Sequence, residues 1–558
     1  MIKRLFSMLY NRTSGVNEAA FLLGIFTFFS QILGLIRDRL LAMHIGAGPE
    51  LDMYYAAFKI PDLLYVSIGT LASITVLLPL FTKKYKESSD SFKQVINQVF
   101  TVLIIFLIGV SFILWIIMPF LIPYITPGFS LQQQHIVITL ARIMLLQPIF
   151  IGISGMFSSI TQFFKKFFIT AFTPIMYNIG IIIGIVGLYP IFGLKGLAIG
   201  VVFGSILHLG IQIPLMIYER SLPTITTRIN WSEILSLITL SIPRTIGLSI
   251  GSVTIIFLIS LASHLKSGSI ALFTLTQNIL NVPLSIIGVS YSVASFPILV
   301  KYYSEDDFHL FINRIVQGAQ KIIFLALPAT ILFIVLRAQI IRVVLGAHSF
   351  TWDETRIASA ILAVFMIGLV GQSLVQILIR GMYAASETKR PLIAMVISQI
   401  FVGILAITFL QIFNIQWVIT SLQYILRLQG ISDIRILALP FAFAFGNIIN
   451  SLLLGIFLIR KFPFVSLRGL LVSIKQSCIA SLGVGFSAYG MLYISSKFLN
   501  QESFWGIFSQ GIFAGITGII VGVIILKLLK NQDIDEFQET LIRKFWKTKV
   551  AQDIIITP

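Results

Sequence analysis

The stretch Ser30–Pro61, SQILGLIRDRLLAMHIGAGPELDMYYAAFKIP, puts charge where an apolar chain should avoid it. Arg37, Asp38, Asp52 and Lys59 lie in or beside two runs long enough to cross a bilayer. On insertion scales an Arg or Asp at a helix centre costs roughly 2.5–3.5 kcal/mol, so such residues tend to face a bundle interior or a water-filled cavity. The stretch therefore predicts a polar cavity, with the rest of the chain as the scaffold that makes it tolerable.

Working outward, the composition agrees. The 558 residues are 57% hydrophobic and 11% charged, with mean hydropathy +0.96. A soluble protein carries roughly 25% charged residues, so this chain is built for lipid. An all-α polytopic membrane protein is expected. The net charge of +18 does not point to nucleic acid, because Lys and Arg sit mainly at span ends, where topology signals and contacts with membrane lipids explain them. The one cysteine, Cys478, excludes an intramolecular disulfide and any multi-cysteine metal site, and is expected to pack within its apolar helix. The six histidines show no pair at metal-ligand spacing, and neither HExxH nor GxxxxGK[ST] occurs. No cofactor is expected, and no nucleophile–base motif stands out.

Fourteen spans are expected: Glu18–Met43, Tyr54–Thr82, Val95–Ile125, His135–Phe163, Phe168–Leu188, Gly196–Tyr218, Ile234–Leu265, Ser269–Tyr302, Phe311–Leu345, Ile357–Ala385, Leu392–Phe413, Ile436–Ile459, Leu470–Ser496 and Trp505–Leu529. A less apolar loop containing Arg427 and Asp433 precedes the twelfth. Connections after even-numbered spans hold Lys83, Lys84, Lys86, Lys93, Lys165, Lys166, Arg220, Arg228, Lys389, Arg390, Arg460, Lys461 and Arg468. The positive-inside rule then places both termini in the cytoplasm. The N-terminus lacks a small-residue cleavage site and reads as a cytoplasmic lead-in.

ITVLLPLFTKKY (Ile74–Tyr85) is echoed by SVASFPILVKYY (Ser292–Tyr303), six spans later in the same orientation. The echo predicts two six-helix lobes in parallel around a central cavity, plus two C-terminal helices. The expected organisation is a cytoplasmic segment (1–18), an N-lobe with spans 1–6 (19–218), a cytoplasmic linker (219–233) and a C-lobe with spans 7–12 (234–459). Spans 13–14 (460–530) and a cytoplasmic tail (531–558) complete it, the tail forming either an interfacial amphipathic helix or none.

Ser30, Gly34 and Arg37 are spaced by three or four residues and share a helix face. Small residues at 30 and 34 let a neighbour or ligand approach, and the guanidinium fork matches phosphate geometry. The competing reading pairs Arg37 with Asp38 or Asp52, or lets it snorkel. Asp52 and Lys59, seven apart, share a face of the second span; Asp52 either orients Arg37 or binds a proton. Pro61 and Asp62 read as a helix irregularity. Arg244 follows Pro243 inside the seventh span, where it lines a cavity or is satisfied by carbonyls that the proline frees. Gln277, Asn278 and Asn281 precede Pro283 and read as cavity lining or inter-helix polar contacts.

The opening stretch, extended through Asp62–Leu64, resembles the first two spans of the MviN/MurJ family, the lipid II flippases of peptidoglycan synthesis. LPLFTKKY, IPRTIGLS, VPLSIIGVSYSVASFPIL and LVQILIRGMYAASETKRP add to the likeness over roughly the first 400 residues. The resemblance implies the multidrug/oligosaccharidyl-lipid/polysaccharide exporter architecture, two six-span lobes around a cationic cavity. It implies transport of lipid II, or a related undecaprenyl-pyrophosphate-linked glycan, from the inner to the outer leaflet of the bacterial cytoplasmic membrane. Membrane potential or a coupling ion would drive it.

By position, the resemblance assigns Arg37, Asp38, Asp52 and Lys59 to the family's charged set. Substrate contact is expected from Arg37, Lys59, Arg244, Ser30, Gln31 and Asn278, and charge pairing or ion coupling from Asp38 and Asp52. Gln31, the Tyr65–Val66 region and Asn278 stand where the family carries cations, and Arg244 is a candidate to compensate for one. The competing functions are export of another lipid-linked oligosaccharide or small molecule, and a non-transporting membrane scaffold for cell-wall synthesis.

Overall fold

The computed structural model describes residues 16–69, 74–346, 349–463, 468–531 and 533–535, with the side chains of 16–23, 68–69, 74–76, 78–79, 240 and 243–244 outside that description. The described residues form helices and connections, with no strand. The first half contains α1 (Val16–His44), α2 (Pro49–Gly69), α3 (Ile74–Glu87), α4 (Ser89–Ile125), α5 (Leu131–Met144), α6 (Leu146–Phe163), α7 (Phe167–Ile183), α8 (Tyr189–Phe192), α9 (Leu194–Gly210) and α10 (Ile213–Tyr218). The second contains α11 (Trp231–Ser263), α12 (Ser269–Leu284), α13 (Ser290–Ser304), α14 (Phe308–Val335), α15 (Arg337–Val344), α16 (Trp352–Ile367), α17 (Leu369–Ala384), α18 (Lys389–Ile412), α19 (Gln416–Leu426) and α20 (Ala438–Lys461). Two further helices, α21 (Arg468–Ser495) and α22 (Phe504–Leu528), pack on each other and against α14.

Among the described residues, eleven helical segments are long and apolar enough to cross a membrane, or twelve when α16 and α17, bent by 42°, count as one span. The helices at the first two expected spans lie outside that number. In α2 the cause is Glu50, Asp52, Lys59 and Asp62, four charges within 21 residues. The loop expected after the eleventh span is partly helical, because QWVITSLQYIL (α19) contains neither Gly nor Pro. The ninth span breaks at Leu336 before α15. Cys478 does lie in a helix but is exposed, correcting its expected packing. The buried stripe of α21 is Ser473, Ser477, Ala480, Ser481, Val484 and Ala488, and Cys478 falls beside it. The remainder of the tail, from residue 536, and Arg244's side chain lie outside the described residues.

Small residues set the tightest packing. Gly180 and Gly184 of the fifth span meet Gly204 and Gly200 of the sixth so closely that a Cβ on any of them would strike backbone of the facing span, at Gly204 the Tyr177 carbonyl. This fixes α7 against α9, and α7 in turn packs on α1. Across the two halves, α2 packs on α11 and α12. One end of the bundle is clasped by loops. Gly128 N–H donates to Ser263 Oγ (3.0 Å), and Ser260 Oγ donates to the Tyr124 carbonyl (3.1 Å). Gly46 (φ +74°) and Gly268 (φ +91°) sit at the same end, where side chains would collide with the carbonyls of Ser349 and Ala47 respectively. The opposite end, rich in lysine, is bridged between the halves by an ion pair, Lys84 Nζ to Glu233 Oε1 at 3.0 Å.

Candidate functional site

The site grows from the face of α1 that carries Ser30, Gly34 and Arg37. Arg37 is one-fifth exposed; it donates through Nε and Nη2 to Asp38 Oδ1, at 2.9 and 2.8 Å. Its Nη1 donates to Asn178 Oδ1 of α7 at 3.2 Å. The Asn178 amide nitrogen turns back to Ser30 Oγ at 3.2 Å and to the Pro174 carbonyl at 3.1 Å. Asp38 is buried, and its second oxygen accepts from Asn278 Nδ2 of α12 at 2.9 Å. One polar chain therefore runs Ser30–Asn178–Arg37–Asp38–Asn278 and joins the halves of the molecule.

This chain bounds two hollows that share Arg37 and Asn278. The larger, about 410 Å³, takes its polar lining from Arg37, Lys59, Asp62, Tyr177 and Gln277, with Tyr55 and Thr274 beside them. The smaller, about 190 Å³, is lined by Ser30, Gln31, Gly34, Asp38, Asn178 and Asn281 among others. Lys59 and Asp62, three residues apart on α2, face the larger hollow together, and Lys59 makes no hydrogen bond or ion pair among the described residues. Tyr55 Oη and Thr274 Oγ1 are buried without a hydrogen-bond partner. Such groups carry a cost until a ligand or water meets them.

Formal charge around the hollows balances among the described side chains: Arg37 and Lys59 against Asp38 and Asp62. Among the described side chains the lining is thus mixed in charge and rich in amides and hydroxyls, where the resemblance implies a cationic cavity. Asn278, where the resemblance implies a cation, is occupied with Asp38. Tyr65 and Val66 line the larger hollow and Gln31 the smaller.

Asp52 is elsewhere. Its carboxylate, 3% exposed, accepts from the backbone N–H groups of Gly268 (2.6 Å) and Ala271 (2.7 Å). It seals the start of α12, where unpaired N–H groups and the helix dipole favour an anion. Of the two readings left open for Asp52, orientation of Arg37 finds no contact here; Arg37 is oriented by Asp38 and Asn178.

Sequence reasoning missed Asn178, Asp62 and the tyrosines. Asn178 is a single amide in an apolar helix, and the available signal was its position four residues after Pro174, whose carbonyl it binds. Asp62, read as a helix irregularity, shares the Lys59 face.

A sequence model of the family described as "Lipid II flippase MurJ" matches residues 41–509. The "Probable lipid II flippase MurJ" of Rhizobium tropici is 28% identical over 387 residues, 66% of this chain and 70% of that protein. The protein of the same description from Thermotoga maritima is 28% identical over 377 residues, 67% of this chain and 75% of its own length. A solved "Lipid II flippase MurJ, inward closed conformation" superposes with TM-score 0.71 at 24% identity, covering 94% of this chain and all of that one. A multidrug-resistance MATE transporter of the MOP superfamily, in an inward-facing conformation, superposes with TM-score 0.61 at 14% identity over 77% of this chain and 94% of its own.

Proposed function

This chain belongs to the lipid II flippase MurJ family, and on that premise we propose that it carries lipid II from the inner to the outer leaflet of the bacterial cytoplasmic membrane. The observation that carries the reading is the polar chain from Ser30 to Asn278, which bounds a cavity between two halves clasped at one end. A diphosphate has no stable place in hydrocarbon, so a flippase must offer it a shielded polar compartment. Arg37 supplies the planar fork and Lys59 the second cation. Tyr55, Thr274, Tyr177 and Gln277 supply neutral hydrogen bonds to the diphosphate or the sugars.

The same contacts connect binding to movement. Arg37 is held by Asp38, and Asp38 by Asn278 across the halves. A diphosphate drawn to Arg37 competes with Asp38 for the guanidinium and weakens the tie to α12. Alternating access then follows as rearrangement of the halves around a central cargo. Lys84–Glu233, part-exposed on both sides, is the weaker closure, and the buried Asp52 cap the stronger. We place the lysine-rich end and both termini in the cytoplasm, by the positive-inside rule. Membrane potential is the proposed driver, because one charge crossing 100 mV gains about 2.3 kcal/mol. Ion coupling is assigned to Asp38 and Asp52, the buried acids of the contacts that join the two halves.

The test is lipid II translocation by the purified protein in vesicles, wild type against Arg37→Ala. The variant should flip at least about tenfold more slowly, the loss of one or two charge-assisted hydrogen bonds. Unaltered flipping by a folded Arg37→Ala protein would overturn the central role of this residue. Unaltered growth of a flippase-depleted strain rescued by that variant would do the same.

A further inference from the structure

A second polar cleft lies outside the central cavity. It opens at the clasped end of the bundle, between α14–α16, the end of α19, and α21–α22, with a volume of about 580 Å³. Four arginines line it: Arg337, Arg342, Arg356 and Arg427. No Asp or Glu is among the lining residues.

Four guanidinium groups around one small space are costly unless something offsets their repulsion, and the protein offers little. Arg337 Nη1 donates to the Ile334 carbonyl (2.9 Å) and Arg342 Nη1 to the Gln501 carbonyl (3.0 Å). Arg427 Nη2 donates to Tyr489 Oη at 3.3 Å. None of these three has a carboxylate within ion-pair range among the described residues. Only Arg356 does, with Asp353 at 3.9 Å. Arg356 also braces the site, donating to the carbonyls of Arg427 (2.7 and 3.2 Å) and Gln429 (2.9 Å). Arg427 is held in a left-handed turn (φ +59°), an uncommon conformation for a bulky residue. The fold holds cations together here.

The cleft is amphipathic. Its other walls include Val335, Ile425, Leu426, Leu492 and Ile507. At the same end Trp352, Tyr424 and Trp505 are 60%, 77% and 70% exposed, as aromatic residues are at a membrane–water interface. Arginine forks match phosphate oxygens in pairs, and apolar walls suit the first carbons of a chain.

We propose that this cleft is a second anion site, taking the phosphate or diphosphate headgroup of a membrane lipid at the end of the bundle opposite the lysine-rich one. The site contains no residue of the central cavity and does not depend on the function proposed for that cavity.

The test uses full-length protein in phosphatidylcholine nanodiscs, with farnesyl diphosphate and inorganic pyrophosphate as separate probes. Bound ligand is counted by native mass spectrometry, and affinity is taken from the shift in melting temperature. Wild type and Arg37→Gln should both retain a farnesyl diphosphate that Arg337→Gln/Arg427→Gln binds about tenfold or more weakly, the loss of two charge-assisted contacts. Equal binding by the double variant, or loss only in Arg37→Gln, would overturn the proposal. Pyrophosphate binding as tight as farnesyl diphosphate would overturn the lipid assignment. Should the double variant fail to fold, Arg427→Lys keeps the charge without the fork and should weaken binding severalfold at unchanged melting temperature of the free protein. Wild-type affinity in that folded variant would equally overturn the assignment.

Discussion

Asp38 and Asn278 stand 240 residues apart in sequence and meet across the two halves of the molecule, the carboxylate accepting from the amide at 2.9 Å. Because Asp38 is buried and its other oxygen is committed to Arg37, the bond to Asn278 satisfies the remaining acceptor.

Replacing Asn278 by Asp sets two carboxylates side by side and removes the donor. We expect lipid II flipping to fall at least about tenfold, with a melting temperature lowered by the cost of an unsatisfied buried acceptor, about 1–3 kcal/mol. Asn278→Gln, which restores an amide, should recover part of both. A flipping assay beside thermal unfolding checks this, and an Asn278→Asp protein as stable and active as wild type would refute it.

Gly268 and Gly430 give a controlled comparison. Both have positive φ (+91° and +85°), but a Cβ at 268 strikes the Ala47 carbonyl while one at 430 meets nothing within 4 Å. Gly430→Ala should cost about 1 kcal/mol, the conformational penalty alone. Gly268→Ala should cost clearly more and should also loosen the clasped end. Melting temperatures of the two variants decide it; equal losses would mean that the contact with Ala47 is unimportant.

Lys84 bridges to Glu233 of the other half and to Glu87 of its own, at 3.0 and 3.1 Å. Those carboxylates hold its ammonium pKa above the usual lysine range, Glu233 foremost. Lys84→Glu should loosen the two halves at this end and make the Ser67–Ser249 contact between α2 and α11 more accessible, where the two hydroxyls are 2.8 Å apart. A cysteine placed at 249 in a Cys478→Ala background should react faster with a polar maleimide in Lys84→Glu. The charge swap Lys84→Glu/Glu233→Lys should slow it again, and high salt should narrow the difference. Equal labelling rates in all three proteins would discount the pair as a closure.

Asp433 lies in the connection before α20. Burial pushes its carboxyl up, but hydrogen bonds from Arg435 (Nε 3.0 Å, Nη2 2.8 Å, backbone N 3.0 Å) outweigh this and hold it below the usual carboxylate range. A lowered folded pKa means stability present above the unfolded value, about 3.9, and lost as pH falls through the folded one. Wild type should therefore lose part of its stability below about pH 4, and Asp433→Asn should lose less over that range. Parallel acid limbs of melting temperature against pH would contradict the assignment.

Sequence alone made the charged stretch legible because membrane burial of Arg37 demands an explanation that composition exposes. The helical, polytopic class followed from the same reasoning. What the sequence hid were partners. Asn278 reads as an inter-helix amide until the fold brings Asp38 to it. Asp52 invited a cation partner, yet it binds N–H groups, which leave no mark in a sequence. The cavity's balanced charge depends on which faces of α1 and α2 converge, and Asp62 joined Lys59 only once that was known. The four arginines of the second cleft come from α15, α16 and the turn that ends α19, spread over 337–427, each unremarkable alone.

The Asp52 cap has one further consequence. Its donors are main-chain N–H groups at 268 and 271, which every residue except proline carries, although Gly268 is held to glycine by its positive φ and by the Ala47 carbonyl. Substitution on that side cannot retune the bond by changing its donor. The chemistry of this one bond is therefore set by a single side chain, which can be stepped at position 52 from carboxylate to amide to hydroxyl while the donors stay the same.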